Sequence, residues 1–267
     1  NLLKQDTSFI TYKNRIGIKY DISAKQSFTA FWENETTNRL SKETLLSSNL
    51  SSVSGSQNTY GLNLFINWLD YKYNPRKGFF LNLEAKSGIK KIIGSKRDNK
   101  IIIPLSETNE LVYSFLVPEK SMIYKGKIQV EGYIPLWRVI SLKLANNSGF
   151  QLNDYLLDND LFRLGGFQFL RGFDQQSIFV TNYSIFTTEI KVLFEENSFM
   201  NVFFDQSILD KSTITEKTIN QSSALGAGIN FQTKPGIFSI SYALGKFRET
   251  NFKFSSAKIH FGFINLF

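Results

Sequence analysis

Large apolar residues alternate with small or polar residues along much of the second half of the chain. In segment 236–246, one face of an extended strand would carry Phe238, Ile240, Tyr242 and Leu244. The opposite face would carry Ser239, Ser241, Ala243 and Gly245. A period of two with one apolar face predicts a β-strand. Because the apolar face is the large and aromatic one, the pattern favours a barrel with lipid outside and a polar interior.

The pattern of apolar and turn-forming residues predicts eleven strands. They cover roughly 14–23, 27–35, 59–72, 78–91, 123–135, 138–150, 181–195, 200–209, 223–233, 236–246 and 257–267. Many reach the roughly 9–11 residues that a tilted strand needs to cross the hydrocarbon of a membrane. Short turns are predicted at 23–26, 74–78, 135–138, 195–199 and 234–236, and long polar loops at 36–58, 92–122, 151–180, 206–222 and 246–256. This asymmetry is typical of outer-membrane barrels, whose short turns lie in the periplasm.

Composition excludes several other classes of protein. The 267-residue chain contains no run of about 18 apolar residues, so a transmembrane helix is ruled out. Aromatic residues make up 15%, which suits a lipid-facing surface with interfacial girdles. The net charge of +8 comes from residues scattered through turns and loops, so contact with anionic lipid head groups is favoured over nucleic acid. The chain has no cysteine.

The strand count bears on the extent of the barrel. If the last strand ends in the periplasm, counting back eleven strands places the start of the first one outside the cell. Bacterial single-chain barrels are usually even-stranded. We therefore expect a strand missing before residue 14, or its remnant at Thr7–Tyr12. The alternative, a soluble eleven-stranded sandwich, would leave the aromatic stripe unexplained.

One loop carries a motif. Residues 165–173 read GGFQFLRGF, with Arg171 followed by Gly172 and Phe173. Downstream come FTTEIKVLFE at 186–195 and NVFFDQS at 201–207, and the chain ends on Phe267. Together these segments resemble the BamA-type superfamily of outer-membrane insertases and translocases. In that family the motif lies in the long loop five strands from the end, and five predicted strands follow it here.

The resemblance implies roles for particular residues. Loop 151–180, with Gly165, Gly166, Arg171, Gly172 and Phe173, would fold back into the lumen. Arg171 would dock on the barrel wall between the acids Glu189 and Asp205, and Phe267 would serve as the assembly signal. Alternation independently places both carboxylates on the polar faces of adjacent strands, where one planar guanidinium can bind both. A simpler interpretation is that these charges merely line a wet pore.

The chain departs from the family at one position. The family keeps a glycine two residues after the second acid, and here Ser207 stands at that place. This change bears on how closely the loop approaches the docking strand.

The resemblance implies the fold and the first two of three candidate functions. The fold would be an all-β, antiparallel transmembrane β-barrel in the cell outer membrane. Residues 1–267 would be the C-terminal portion of one 16-stranded barrel domain. The N-terminal strands and any periplasmic domains would be missing from this chain.

The first function is insertion or translocation of polypeptides through a lateral seam, without cofactor or enzymatic activity. Its partners would be outer-membrane lipids, lipopolysaccharide, unfolded barrel or secreted polypeptides and accessory lipoproteins, but no nucleic acid. The alternatives are a membrane anchor for a fused lipase-like or phosphoesterase domain, and a diffusion porin.

Other candidate sites are weak. His260, the only histidine, has no cysteine partner and is interpreted as a polar lumen residue. Asp154, Asp158 and Asp160 lack the spaced glycine and terminal glutamate of a calcium loop. Trp68 and Trp137, each near a short turn, are interpreted as interfacial anchors. No nucleophile elbow, zinc-protease motif, phosphate-binding loop or dinucleotide fingerprint occurs.

Overall fold

A computed structural model describes residues 9–39, 54–93, 96–97, 100–104, 114–214 and 216–265. The strands are β1 Phe9–Ser23, β2 Gln26–Arg39, β3 Gly55–Asn67, β4 Gly78–Ile92, β5 Lys96–Arg97, β6 Lys100–Pro104, β7 Ser114–Pro118, β8 Lys120–Pro135, β9 Ile140–Leu152, β10 Phe162–Leu164, β11 Ile178–Val180, β12 Asn182–Glu195, β13 Ser198–Ser212, β14 Lys217–Gln232, β15 Gly236–Phe247 and β16 Lys258–Asn265. Short 3-10 turns occur at Asp158–Asp160 and Phe254–Ser256.

Eleven of these strands form one antiparallel sheet. Its order is β1-β2-β3-β4-β8-β9-β12-β13-β14-β15-β16, so each strand pairs with its neighbours in the chain apart from the small strands inserted between them. The predicted all-β antiparallel fold is confirmed, and each predicted strand corresponds to one strand of this sheet. Within the described residues, β1 and β16 are the two edges and do not pair with each other.

Several sequence predictions about strand bounds are wrong. The predicted strand 59–72 already ends at Asn67, and the predicted loop 92–122 contains the small sheet of β5, β6 and β7. Residues 9–12 belong to β1 itself, which pairs with β2 continuously from Phe9 and Arg39, and they are not the remnant of a preceding strand. The predicted loop 206–222 is mostly strand, because β13 and β14 stay paired as far as Ser212 and Lys217. At the end of β13 and the start of β14 the polar residues give no alternation, which is why the sequence pattern missed this pairing.

The two faces of the sheet differ in chemistry as the alternation predicted. In β12 the side chains of Phe186, Ile190, Val192 and Phe194 are exposed, whereas Glu189 and Lys191 are buried. Polar and charged side chains are thus buried on one face, and large apolar ones are exposed on the other. This distribution suits a sheet whose outer face contacts lipid. Among the described residues, no helix has the length and apolar character needed to cross a membrane.

The long connection between β9 and β12, residues 153–181, lies against the polar face of the sheet; we call it the inner loop, and that face the inner face. The inner loop contains the small hairpin of β10 and β11. Its apolar side chains pack with residues of β12 and β13 in a buried cluster of Leu164, Leu170, Val180, Tyr183, Ile185 and Leu209. This apolar patch holds the inner loop on an otherwise polar face and brings its tip close to the strands.

Candidate functional site on the inner face

The tip of the inner loop is a tight turn that presents Arg171. The amide of Gly166 donates to the carbonyl of Leu170 over 3.0 Å, which closes residues 166–170 into a turn. Gly165 and Gly166 adopt φ values of 102° and 94°, a region that L side chains rarely occupy. Leu170 is fully buried in the apolar cluster. The turn therefore has one fixed apolar contact, and Arg171 follows directly after it.

The guanidinium of Arg171 binds two carboxylates at once. Its Nε and Nη2 donate to the two oxygens of Asp205 over 2.9 and 2.7 Å, and its Nη1 donates to Glu189 Oε2 over 2.8 Å. The guanidinium carbon also lies 3.4 Å from the ring centroid of Phe203. A bidentate bond combined with a ring contact uses the planar shape of arginine, which a lysine ammonium lacks.

The cluster is buried and electrostatically matched. The side chains of Arg171, Glu189 and Asp205 are 13%, 9% and 1% exposed. Burial lowers the pKa of Arg171, but the hydrogen bonds and charges of Asp205 and Glu189 outweigh burial and raise it above its ordinary value. Thr187, directly across from Asp205 in the strand register, donates its hydroxyl to Asp205 Oδ1 over 2.8 Å. The wall therefore holds Asp205 in place for the incoming guanidinium.

Directly after Arg171, the backbone of the inner loop touches β15. Gly172 has φ 80°, and a Cβ added to it would lie 2.6 Å from the backbone nitrogen of Gly245. A Cβ added to Gly245 would lie 2.5 Å from the carbonyl oxygen of Gly172. The ring of Phe173 packs on Phe247 with centroids 5.2 Å apart. Two facing glycines thus permit a backbone contact that larger residues would block.

The other end of the inner loop has an anchor that sequence reasoning missed. Asp160 forms a buried ion pair with Lys90 of β4 and accepts a hydrogen bond of 2.8 Å from Gln57 of β3. Lys90 also donates to the backbone carbonyl of Tyr155 over 2.7 Å. Asp160 is therefore a loop residue that pairs with Lys90 on the wall, and Asp158 lies 4.0 Å from Lys211. A lysine on the polar face of a strand is a common feature, so the sequence held no signal that singled out Lys90.

A second charged cluster on the inner face, between β1 and β4, also escaped sequence analysis. Arg15 donates to Glu33 over 2.6 Å and to Glu84 over 2.8 Å, and its guanidinium lies 4.0 Å from the ring centroid of Phe31. Lys86 pairs with the same Glu33. The residues named in this cluster come from three strands, β1, β2 and β4, and none of them belongs to the inner loop.

The structure brings some of the sequence-predicted residues together and leaves others apart. Arg171, Glu189 and Asp205 meet, Gly172 and Phe173 contact β15, and Gly165 and Gly166 shape the turn without touching the acids. Phe267 lies outside the described residues.

Ser207 stands at the position where the family keeps glycine. It is buried, and its hydroxyl oxygen lies 2.5 Å from the hydroxyl oxygen of Ser222 in β14. The serine side chain is therefore directed at the next strand, and Arg171 still reaches Asp205.

Comparison with known proteins identifies relatives of the fold. A family model described as the Omp85 superfamily domain matches residues 7–263. Among solved structures, the chain is similar to the crystal structure of BamA from Haemophilus ducreyi lacking POTRA domains 1–3, with a TM-score of 0.63 and 15% identity. The match covers 96% of this chain and 53% of that one, so the chain spans about half of the solved protein. No curated protein matches the chain.

Proposed function

The chain belongs to the Omp85 superfamily, and on that premise we propose that it is part of an outer-membrane barrel that inserts polypeptides into the membrane or moves them across it. The barrel acts without a cofactor and without covalent chemistry. Its exposed apolar face contacts the lipids and lipopolysaccharide of the outer membrane. Its substrates are unfolded barrel or secreted polypeptides, delivered with the help of accessory lipoproteins.

The observation that carries this proposal is the docked Arg171. A pore for passive diffusion does not need a loop that is held against the inner face by a buried three-residue ion cluster. The bonds from Arg171 to Glu189 and Asp205 fix the tip of the inner loop beside the strands that lead to β16. This supports a role in which the loop sets the arrangement of the last strands.

The free edge of β16 supports a transport route in which a substrate strand pairs with the sheet. Within the described residues, β16 is paired on one side only, with β15, and its eight residues make it the shortest strand of the main sheet. An exposed edge offers unpaired backbone groups that a second chain can extend as a further strand. We therefore place substrate pairing at the free edge of β16, in a seam with the first strand of the complete barrel.

Reconstitution of the full-length protein tests this proposal. Lipid vesicles containing it should speed the folding of a urea-unfolded outer-membrane barrel, measured as heat-modifiable product, relative to empty vesicles. Arg171→Ala should remove most of that acceleration. Arg163→Ala is the matched control, because Arg163 lies in the same loop with its guanidinium stacked over Phe179, 5.3 Å from the ring centroid.

The same assay separates the alternative functions. If the wild-type protein does not speed the folding of a barrel substrate but moves a secreted polypeptide into the vesicle lumen, translocation is favoured over insertion. If it does neither, the barrel is better described as the membrane anchor of a fused lipase-like or phosphoesterase domain. The full-length protein would then be assayed for hydrolysis of lipid and phosphoester substrates.

A further inference from the structure

Three inward-facing positions of β16 contact the inner loop. Lys258 forms an ion pair of 2.8 Å with Asp174. His260 Nε2 accepts a hydrogen bond of 3.1 Å from the backbone amide of Gly172. A Cβ added to Gly262 would lie 3.0 Å from the ring of Phe167, so the absence of a side chain there makes room for that ring. These three positions alternate along the strand, and all three face the loop.

These contacts join two parts of the sheet that are far apart in strand order. The inner loop is fixed on β12 and β13 by Arg171, and the adjacent residues Gly172 and Asp174 reach β16, three strands beyond β13. Within the described residues, the only other strand that holds β16 is β15, over the register from Gly236 and Asn265 to Ala243 and Lys258. The loop therefore supplies a second restraint on the edge strand.

The two attachments of the loop tip differ in burial. Asp205 is 1% exposed, whereas Asp174 is 70% and Lys258 is 37% exposed. Solvent weakens exposed ion pairs, so the Lys258–Asp174 pair with β16 breaks far more easily than the Arg171–Asp205 pair with β13. The loop can accordingly release β16 while its tip stays docked on Asp205.

We propose that Lys258, His260 and Gly262 form a latch face, through which the inner loop holds β16 in its resting position and which opens when a substrate strand pairs with the free edge of β16. This inference rests on the proposed function and deepens it by naming the residues that control the substrate-pairing edge. Lys258 and His260 are positioning residues, because they act through the loop rather than on the substrate. The latch is distinct from the Arg171 cluster, which keeps the loop in place throughout.

A reversible cross-link tests the latch directly, and the cysteine-free chain makes the thiols unique. Asp174→Cys combined with Lys258→Cys, joined in the full-length protein by a short reducible bis-thiol reagent, should lose most of the insertion rate and regain it on reduction. The control pair, Arg163→Cys with Phe179→Cys, joins two residues that pair inside the loop hairpin and should keep the rate after cross-linking. Full activity of the cross-linked 174–258 protein would overturn the latch.

Hydrogen exchange gives a second measurement that does not depend on transport. Asp174→Asn combined with Lys258→Gln should raise amide exchange in 258–262 and leave 187–191 unchanged. Asp154→Asn, which removes an acid elsewhere in the same loop, should change neither segment. Unchanged exchange in 258–262 would contradict the latch even if the protein inserts substrates. Conversely, a wild-type protein that inserts nothing would refute the proposed function while this measurement still reports on the contact.

Discussion

The guanidinium of Arg171 binds both carboxylate oxygens of Asp205, and it binds Glu189 through a single nitrogen. Asp205 also accepts the hydroxyl of Thr187 and is the most buried of the three ionic side chains. The two acids are therefore unequal partners. Asp205 is the main attachment point of the inner loop, and Glu189 completes the charge balance from the adjacent strand.

Removing the guanidinium should release the tip of the inner loop. Truncating one partner of a buried ion cluster costs roughly 3–5 kcal/mol, against about 0–1 kcal/mol for an exposed pair. Arg171→Ala should thus raise the protease sensitivity of residues 151–180 and impair transport, while most strands stay folded. Arg171→Lys should rescue poorly, because a point ammonium cannot form the bidentate bond. If Arg171→Ala keeps the wild-type protease protection of the loop and the wild-type transport rate, the contacts of Arg171 have no functional role.

The unequal acids predict unequal effects of neutralising them. Asp205→Asn should loosen the inner loop more than Glu189→Gln, because it removes the charge that receives two bonds from Arg171. Thr187→Val, which deletes one hydrogen bond to Asp205, should have a smaller effect of about 0.5–1.5 kcal/mol. The unfolding of each variant is monitored by the heat-modifiable gel shift, which ranks the three variants by their loss of stability. An equal loss of stability in Asp205→Asn and Glu189→Gln would contradict the assignment of Asp205 as the main partner of Arg171.

Alternation of side chains was sufficient to predict most of the fold. The positions of Glu189 and Asp205 followed from the period of two, because a residue's face in a strand depends only on its parity. Strand ends such as Ser212 and Lys217 could not be found this way, because pairing continues where both faces carry polar residues. Extended pairing there depends on the partner strand, which local sequence does not reveal.

Contacts between the loop and distant strands were the least predictable part of the site. The sequence predicts only a polar lumen residue at His260, because its bond to Gly172 depends on the loop path across several strands. Lys90 and Asp160 lie 70 residues apart in the chain, and neither belongs to a motif. Such pairs become visible only when the strand order and the loop conformation are both known.

The ion pair of Lys90 and Asp160 should act as an independent anchor for the first half of the inner loop. Lys90→Met keeps the length of the side chain but leaves the buried carboxylate of Asp160 without its cation. Hydrogen exchange should increase in residues 153–164, while the tip around Arg171 remains protected. An equal increase along the whole loop would indicate that a single anchor, not two, holds it.

The proposed outer-membrane orientation can be checked with single cysteines in a chain that has none of its own. Residues in loops 36–58 and 92–122, and in the turn 213–216, should react with an impermeant thiol reagent in intact cells. Residues in turns 74–78 and 234–236 should react only after the outer membrane is permeabilised. Lys234→Cys is the most direct test, because its exposed side chain lies in a short turn. Labelling of this variant in intact cells would show that the protein has the opposite orientation.

The close approach of Gly172 and Gly245 should make both positions intolerant of any side chain. Gly172→Ala introduces a residue at φ 80°, which costs about 1–3 kcal/mol of backbone strain, and its Cβ would collide with the backbone of β15. Gly245→Ala meets the same contact from the opposite side, without the backbone strain. We therefore expect both variants to move the loop tip away from β15, with Gly172→Ala the more severe. Gly132→Ala is the control, because the nearest atom to its added Cβ would lie 3.9 Å away. Protease protection of the inner loop should fall in the first two variants and stay at the wild-type level in the third.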